Sequence, residues 1–335
     1  MRKLSSLYRR IVRYRFSKRL ALIAKAIIST VIVLFLFRKI HVSSIEGALA
    51  AMRTEFFFLC VLQLALIPLL GAVRWQVVLS RLGYVQSLKS LGRVFWIGMA
   101  LNQILPTAVG GDAFRAWIIC RNGVRLVEAT VSIIIERALL LGTLLATIAI
   151  AGWGGSPLVP PPLSTFATIC VVAGALTVAL LAISGQRLDF ESDRKIVVFI
   201  RDICIGSRKV LLSYRALPLI ALCFLTNLNF AIAGWWLGVA LDLPLHLSAY
   251  IAAISVATLA SLMPVSIGGW GVREAATVAL LGSLVGSDMA LIYSLLFGAA
   301  LVMSSLPGVL FLLWSPQPRV DEQNDALLPI EQETI

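Results

Sequence analysis

The sequence predicts an all-α polytopic membrane protein with about six full spans and two re-entrant broken-helix hairpins, arranged as an inverted-topology repeat. Composition is the first reason. Of 335 residues 59% are hydrophobic and only 14% charged, with a mean hydropathy of +0.92, whereas a soluble domain is about 25% charged. The second reason is where the +12 net charge sits. Residues 1–19 hold eight Lys/Arg and no acid, directly before the first apolar run. That is the cytoplasmic N-terminus of the positive-inside rule, not a nucleic-acid surface.

The third reason is a stretch stated twice. Pro106, Val109, Gly110, Gly111 and Arg115 recur 158 residues later as Pro264, Ile267, Gly268, Gly269 and Arg273. Each copy interrupts an apolar segment with helix breakers and charge. Lipid-spanning helices tolerate such breaks only where the backbone is buried in protein or lines a cavity. Paired breaks in two halves of a chain point to a transporter's binding site.

Taken in order, residues 1–19 form a basic segment whose Leu4, Tyr8 and Ile11 make a helical stripe, suited to lying on anionic lipid. Residues 20–37 are the first span, and 56–73 the second. The second ends at Arg74-Trp75, a pair expected at the membrane interface. Residues 91–105 fall short of the roughly 20 needed to cross; they enter, break at 106–111 and return along 112–122. Residues 129–150 and 166–183 are full spans. Residues 184–215, with seven basic and four acidic side chains, form a connector carrying an amphipathic stripe at Ile196, Phe199 and Ile203. Residues 216–239 span again, 247–263 enter, 264–271 break, 272–286 leave, and 290–313 span last. The tail, 315–335, is expected to be disordered.

Charge selects this topology. With both broken segments re-entrant, the basic loops at 74–93, 115–125 and 184–215 all lie inside with both termini. Repeat one then covers 56–150 and repeat two 216–313, running in opposite senses across the bilayer.

Chemistry is expected at the intramembrane charges: Asp112, Arg115, Glu136, Arg137, Arg273 and Glu274. Each costs about 2.5–3.5 kcal/mol at a helix centre unless paired or wet. Arg273 and Glu274 are chain neighbours and do not face each other on a helix, so their partners are expected elsewhere, at Asp112, Glu136 or Arg137. Gly110, Gly111, Gly268, Gly269 and Gly271 sit where half-helices begin, and bare N–H groups there suit an anion. Together with forked Arg donors, they point to an anionic or zwitterionic headgroup. The alternative for each charge is an ion pair that locks the hairpins. The five cysteines and two histidines are scattered without metal-ligand spacing, so neither metal nor cofactor is expected.

Arg74-Trp75, Asn102 with Pro106-x3-Gly110-Gly111-Asp112-x2-Arg115, Glu136-Arg137, and Pro264-x-Ser266-x-Gly268-Gly269-x-Gly271-x-Arg273-Glu274 resemble the lysylphosphatidylglycerol synthase transmembrane region, also called the flippase-like domain. The resemblance covers residues 20–314. It implies a bacterial inner-membrane protein that moves a polar lipid between leaflets. The sequence ends at residue 335 without the aminoacyl-transferase domain of those enzymes, so a non-enzyme is expected. Two rivals stand beside the lipid translocase: a membrane-embedded transferase on a lipid-linked donor, with Asp112 or Glu136 as base, and a scaffold for a separate lipid-synthesising enzyme. Membrane lipids are the expected partners, with such an enzyme or a second copy of the chain as protein partners.

Overall fold

The computed structural model describes residues 42–104, 110–183, 195–212, 216–263 and 269–314. The basic segment 1–19, the first expected span 20–37, the Pro-containing tips and the tail 315–335 lie outside the described residues. Within them the chain is helical throughout: α1 (Val42–Ala51), α2 (Thr54–Leu64), α3 (Ile67–Arg81), α4 (Leu88–Ile104), α5 (Gly110–Arg121), α6 (Leu126–Trp153), α7 (Pro161–Ile183), α8 (Lys195–Leu211), α9 (Ala216–Ala240), α10 (Leu247–Ser261), α11 (Val272–Val285) and α12 (Ser287–Trp314).

Five stretches are long and apolar enough to cross a membrane: α2–α3 taken together, α6, α7 up to Leu180, α9 and α12. They match the five expected spans that fall on described residues. The α2–α3 stretch runs eight residues past the expected end at Val73. It is jointed at Ala65-Leu66, just before Pro68, whose missing N–H cannot serve the preceding turn.

The broken segments form two antiparallel pairs of short helices. At about 1.5 Å per residue, the 17 residues of α4 reach about 25 Å, short of a hydrocarbon core of about 30 Å. In the first pair Gly98 lies against Gly111, and Gln86, ahead of α4, donates to the carbonyl of Asn122, beyond α5. The outer ends of α4 and α5 therefore lie side by side. In the second pair Ser261 at the end of α10 lies against Gly269 ahead of α11.

Packing is the same in both halves. α4 packs on α12, and its counterpart α10 packs on α6; α3–α4 and α5–α6 contacts recur as α9–α10 and α11–α12. The two halves meet antiparallel along α2–α3 and α9. Arg53 N–H donates to the Ala240 carbonyl at 2.9 Å, Gln63 to Asn229 at 2.7 Å, and Arg74 to Thr226 at 2.7 Å. The main core lies here, around Cys60, Leu64, Ile148, Leu237 and the rings of Tyr250 and Tyr293. Small residues admit those rings: Tyr293 donates to the Gly234 carbonyl at 2.9 Å, and Tyr250 abuts Gly238. By contrast α7 turns Phe166, Ile169, Val172, Leu176 and Leu180 outward, a stripe suited to lipid. α8 is the amphipathic connector helix the sequence predicts; it packs Val210 onto Val131 and Ile135 of α6.

Candidate functional site

The charges of the first half converge. Gly111 starts α5 pressed against α4: an added Cβ would collide with the carbonyl oxygen of Gly98 and lie 2.7 Å from Asn102 Oδ1. The α5 face this fixes carries Asp112 and Arg115, three residues apart and therefore neighbours on a helix surface. α6 brings Glu136 and Arg137 from the facing side, and α3 brings Arg74.

The five form an unbroken alternation of sign. Arg74 Nε and Nη2 donate to Glu136 Oε1 at 3.2 and 2.8 Å. Arg115 Nη2 donates to the other oxygen of Glu136, and its Nη1 to Asp112 Oδ1 at 3.1 Å. Arg137 then grips Asp112 with two forked bonds, Nε to Oδ2 at 2.8 Å and Nη2 to Oδ1 at 2.9 Å. Arg115 lies between two aromatic faces, its Cζ 3.7 Å from the centre of Phe95 and 4.3 Å from that of Trp75. Those faces attract a guanidinium. Arg74, Arg115 and Glu136 are buried, while the Arg137 side chain is 46% exposed.

Three guanidiniums meet two carboxylates, so the cluster holds one positive charge in excess. It forms one wall of a cavity of about 510 Å³. The second half adds to the lining through Thr226, Asn227 and Phe230 of α9, Ser255 and Thr258 of α10, and Leu301 of α12. The charged groups thus come from the first half, and the second half adds hydroxyls and an amide to a largely apolar chamber.

To the expectation for Arg74 and Trp75 the structure adds that both turn into the protein: Arg74 is 2% exposed and Trp75 fully buried, its indole N–H donating to Ser132 Oγ at 2.9 Å. The helix continues to Arg81, so Arg74 falls in its interior, where Glu136 supplies the countercharge. The glutamate within an apolar helix was the signal that a buried cation had to exist. Its identity required knowing which face of α3 turns inward.

Arg273 and Glu274 correct an expectation. They pair with each other, Nε and Nη2 reaching Oε1 at 3.0 and 2.5 Å, and no ion pair joins them to Asp112, Glu136 or Arg137. The neighbour rule holds inside a helix, but these two sit in its first turn. Glu274 curls back to accept from the Gly271 N–H at 2.5 Å, which carries its carboxylate to the side where Arg273 extends. Arg273 also lies 4.9 Å from the Trp270 ring centre and against Gly298 of α12. Gly298 is one turn from Leu301, in the cavity wall.

The glycines divide. Gly269 and Gly271 adopt φ of +81° and +87°, a region open to glycine; Gly268 lies outside the described residues. Gly110 and Gly111 open α5, and the Gly111 N–H donates to Asn102 Oδ1 at 2.9 Å. At both helix starts a side-chain oxygen of the chain itself occupies the donor next to the break. Asn102, Thr226 and Asn227 are site residues that spacing alone did not single out.

One family profile extends over nearly the whole chain: the lysylphosphatidylglycerol synthase TM region matches residues 22–308. The chain belongs to that family. It is therefore a multi-pass membrane protein of a family tied to lipid handling. No curated protein matches it.

Proposed function

We propose that this member of the lysylphosphatidylglycerol synthase TM-region family translocates a polar lipid, anionic or zwitterionic, across the bacterial inner membrane. One observation carries the reading: a cation-rich alternating cluster faces a 510 Å³ chamber to whose lining the opposite half of the chain also contributes. A phosphate-bearing headgroup would exchange with Asp112 for the fork of Arg137, the exposed end of the cluster. The apolar remainder of the chamber suits the glycerol and first methylenes.

In this reading α4–α5 and α10–α11 are re-entrant hairpins from opposite faces, the two halves are inverted repeats, and both termini are cytoplasmic. The antiparallel meeting of α2–α3 with α9 and the reciprocal packing of α4 on α12 and α10 on α6 support it. The basic loops fall on one side under this arrangement. Translocation is favoured over transferase chemistry because neither carboxylate is free to take a proton from a substrate. Both Glu136 oxygens and both Asp112 oxygens already accept from guanidiniums, which occupies them.

The test is reconstitution into vesicles with headgroup-labelled lipids of several charges. The expected result is movement of at least one labelled lipid that Arg137→Ala abolishes; if no lipid in the panel moves faster than in protein-free vesicles, the proposal fails. Cysteines placed near residue 113 should react only from the cytosolic side, and those near 270 only from outside.

A further inference from the structure

The α4–α5 hairpin has two faces. Phe95, Gly98 and Asn102 with Asp112 and Arg115 face the charged chamber. The opposite face forms a separate groove of about 580 Å³ against Leu312 of α12. Its rim carries Lys89, Arg93, Ser87 and Ser90 at the start of α4; its floor is Val94, Ile97, Phe114 and Ile118. Trp117 stands at the edge, 47% exposed, with Arg121 stacked over it at 4.4 Å. Among the described residues no carboxylate pairs with Lys89, Arg93 or Arg121. The Arg93 guanidinium lies 6.0 Å from the Phe311 ring centre.

The internal repeat provides an independent control. At 158 residues further on, Lys89, Arg93, Trp117 and Arg121 correspond to Leu247, Ile251, Ala275 and Ala279, on helices packed in the same way. The hairpin therefore folds without a cation or an indole at any of these four places. What they add is chemistry rather than packing. A basic rim above an apolar floor, with an indole between, matches the cross-section of a phospholipid, and the positive end of α4 adds to the attraction.

We propose that this groove binds an anionic glycerophospholipid, its phosphate held by Lys89 and Arg93 and its acyl chains laid along Ile97, Ile118 and Leu312. The site lies on the far side of the hairpin from the translocation chamber and is read out without transport.

The experiment counts lipids retained by the full-length protein in native mass spectrometry, titrated with phosphatidylglycerol, phosphatidylcholine or inorganic phosphate. Wild type should retain phosphatidylglycerol in preference to phosphatidylcholine, and millimolar phosphate should not displace it. The double variant Lys89→Leu/Arg93→Ile, built from the counterpart residues, should weaken retention about thirtyfold, whereas Lys89→Arg/Arg93→Lys should keep it. In an Arg137→Ala background, which removes the chamber's own fork, the Leu/Ile change should still weaken retention. Equal retention by the Leu/Ile variant, equal retention of phosphatidylcholine, or displacement by free phosphate would each overturn the proposal. Should the Leu/Ile variant not fold, brominated phosphatidylglycerol decides: it must quench wild-type tryptophan fluorescence more than it quenches Trp117→Phe, and equal quenching refutes the site.

Discussion

Glu136 and Arg74, 62 positions apart, meet through two bonds to a single carboxylate oxygen while Arg115 holds the other oxygen. Three helices, α3, α5 and α6, are tied at that one side chain. Removing a partner from a buried pair leaves an uncompensated charge, which costs about 3–5 kcal/mol. Glu136→Ala leaves Arg74 without a countercharge and Arg115 with Asp112 alone, and should cost at least that, lowering the melting temperature in detergent by far more than Glu136→Gln. Equal melting of wild type and Glu136→Ala would remove the cluster from any role in stability.

The opposite outcome is expected at the surface. Arg53 bonds Asp242 at 3.1 Å, but their side chains are 51% and 83% exposed. Exposed pairs contribute about 0–1 kcal/mol. Arg53→Ala should therefore shift the unfolding midpoint barely beyond error, measured beside Glu136→Ala in the same detergent.

Arg137 separates binding from folding. Its side chain is partly exposed to the chamber, and Asp112 keeps the Arg115 bond when it is gone. Arg137→Ala should melt closer to wild type than Glu136→Ala does, yet lose labelled-lipid movement at least tenfold. Arg137→Lys keeps the charge but not the fork and should fall between. A variant that folds and transports normally would move the headgroup site elsewhere.

Glycines give a paired prediction. At Gly111 and Gly308 an added Cβ meets a backbone carbonyl oxygen, of Gly98 and Trp96 respectively. Alanine at either should cost about 1–3 kcal/mol through overpacking. At Gly142 and Gly174, both inside helices, nothing lies within 4 Å, and alanine should be neutral or stabilising by up to about 1 kcal/mol. Thermal melts of the four variants check the contrast.

Much of this was legible in the sequence because it depends on local composition. Runs such as 129–150 and 216–239 are apolar over a length only a membrane demands, and α6 and α9 stand where those runs do. The two breaks announced themselves through proline, paired glycine and charge. Which face of a helix turns inward was not legible. The 28-residue α2–α3 stretch is apolar over most of its length and offers no clear stripe to read, so the inward turn of Arg74 could not be read from the sequence. Pairing was legible only as a need: charges at 112, 115, 136 and 137 had to be compensated, but the order of alternation depends on the crossing of α4 and α5 at Gly98 and Gly111. The Arg273–Glu274 contact was obscured by a rule valid within helices and relaxed in their first turn.

The surplus guanidinium sets a valence. A headgroup bearing one negative charge brings the chamber to electroneutrality, a zwitterion leaves it as it was, and a dianion reverses its sign. In a medium of low permittivity these three states differ steeply in cost, so the arithmetic of five side chains ranks candidate lipids by their ionisation alone, before shape enters.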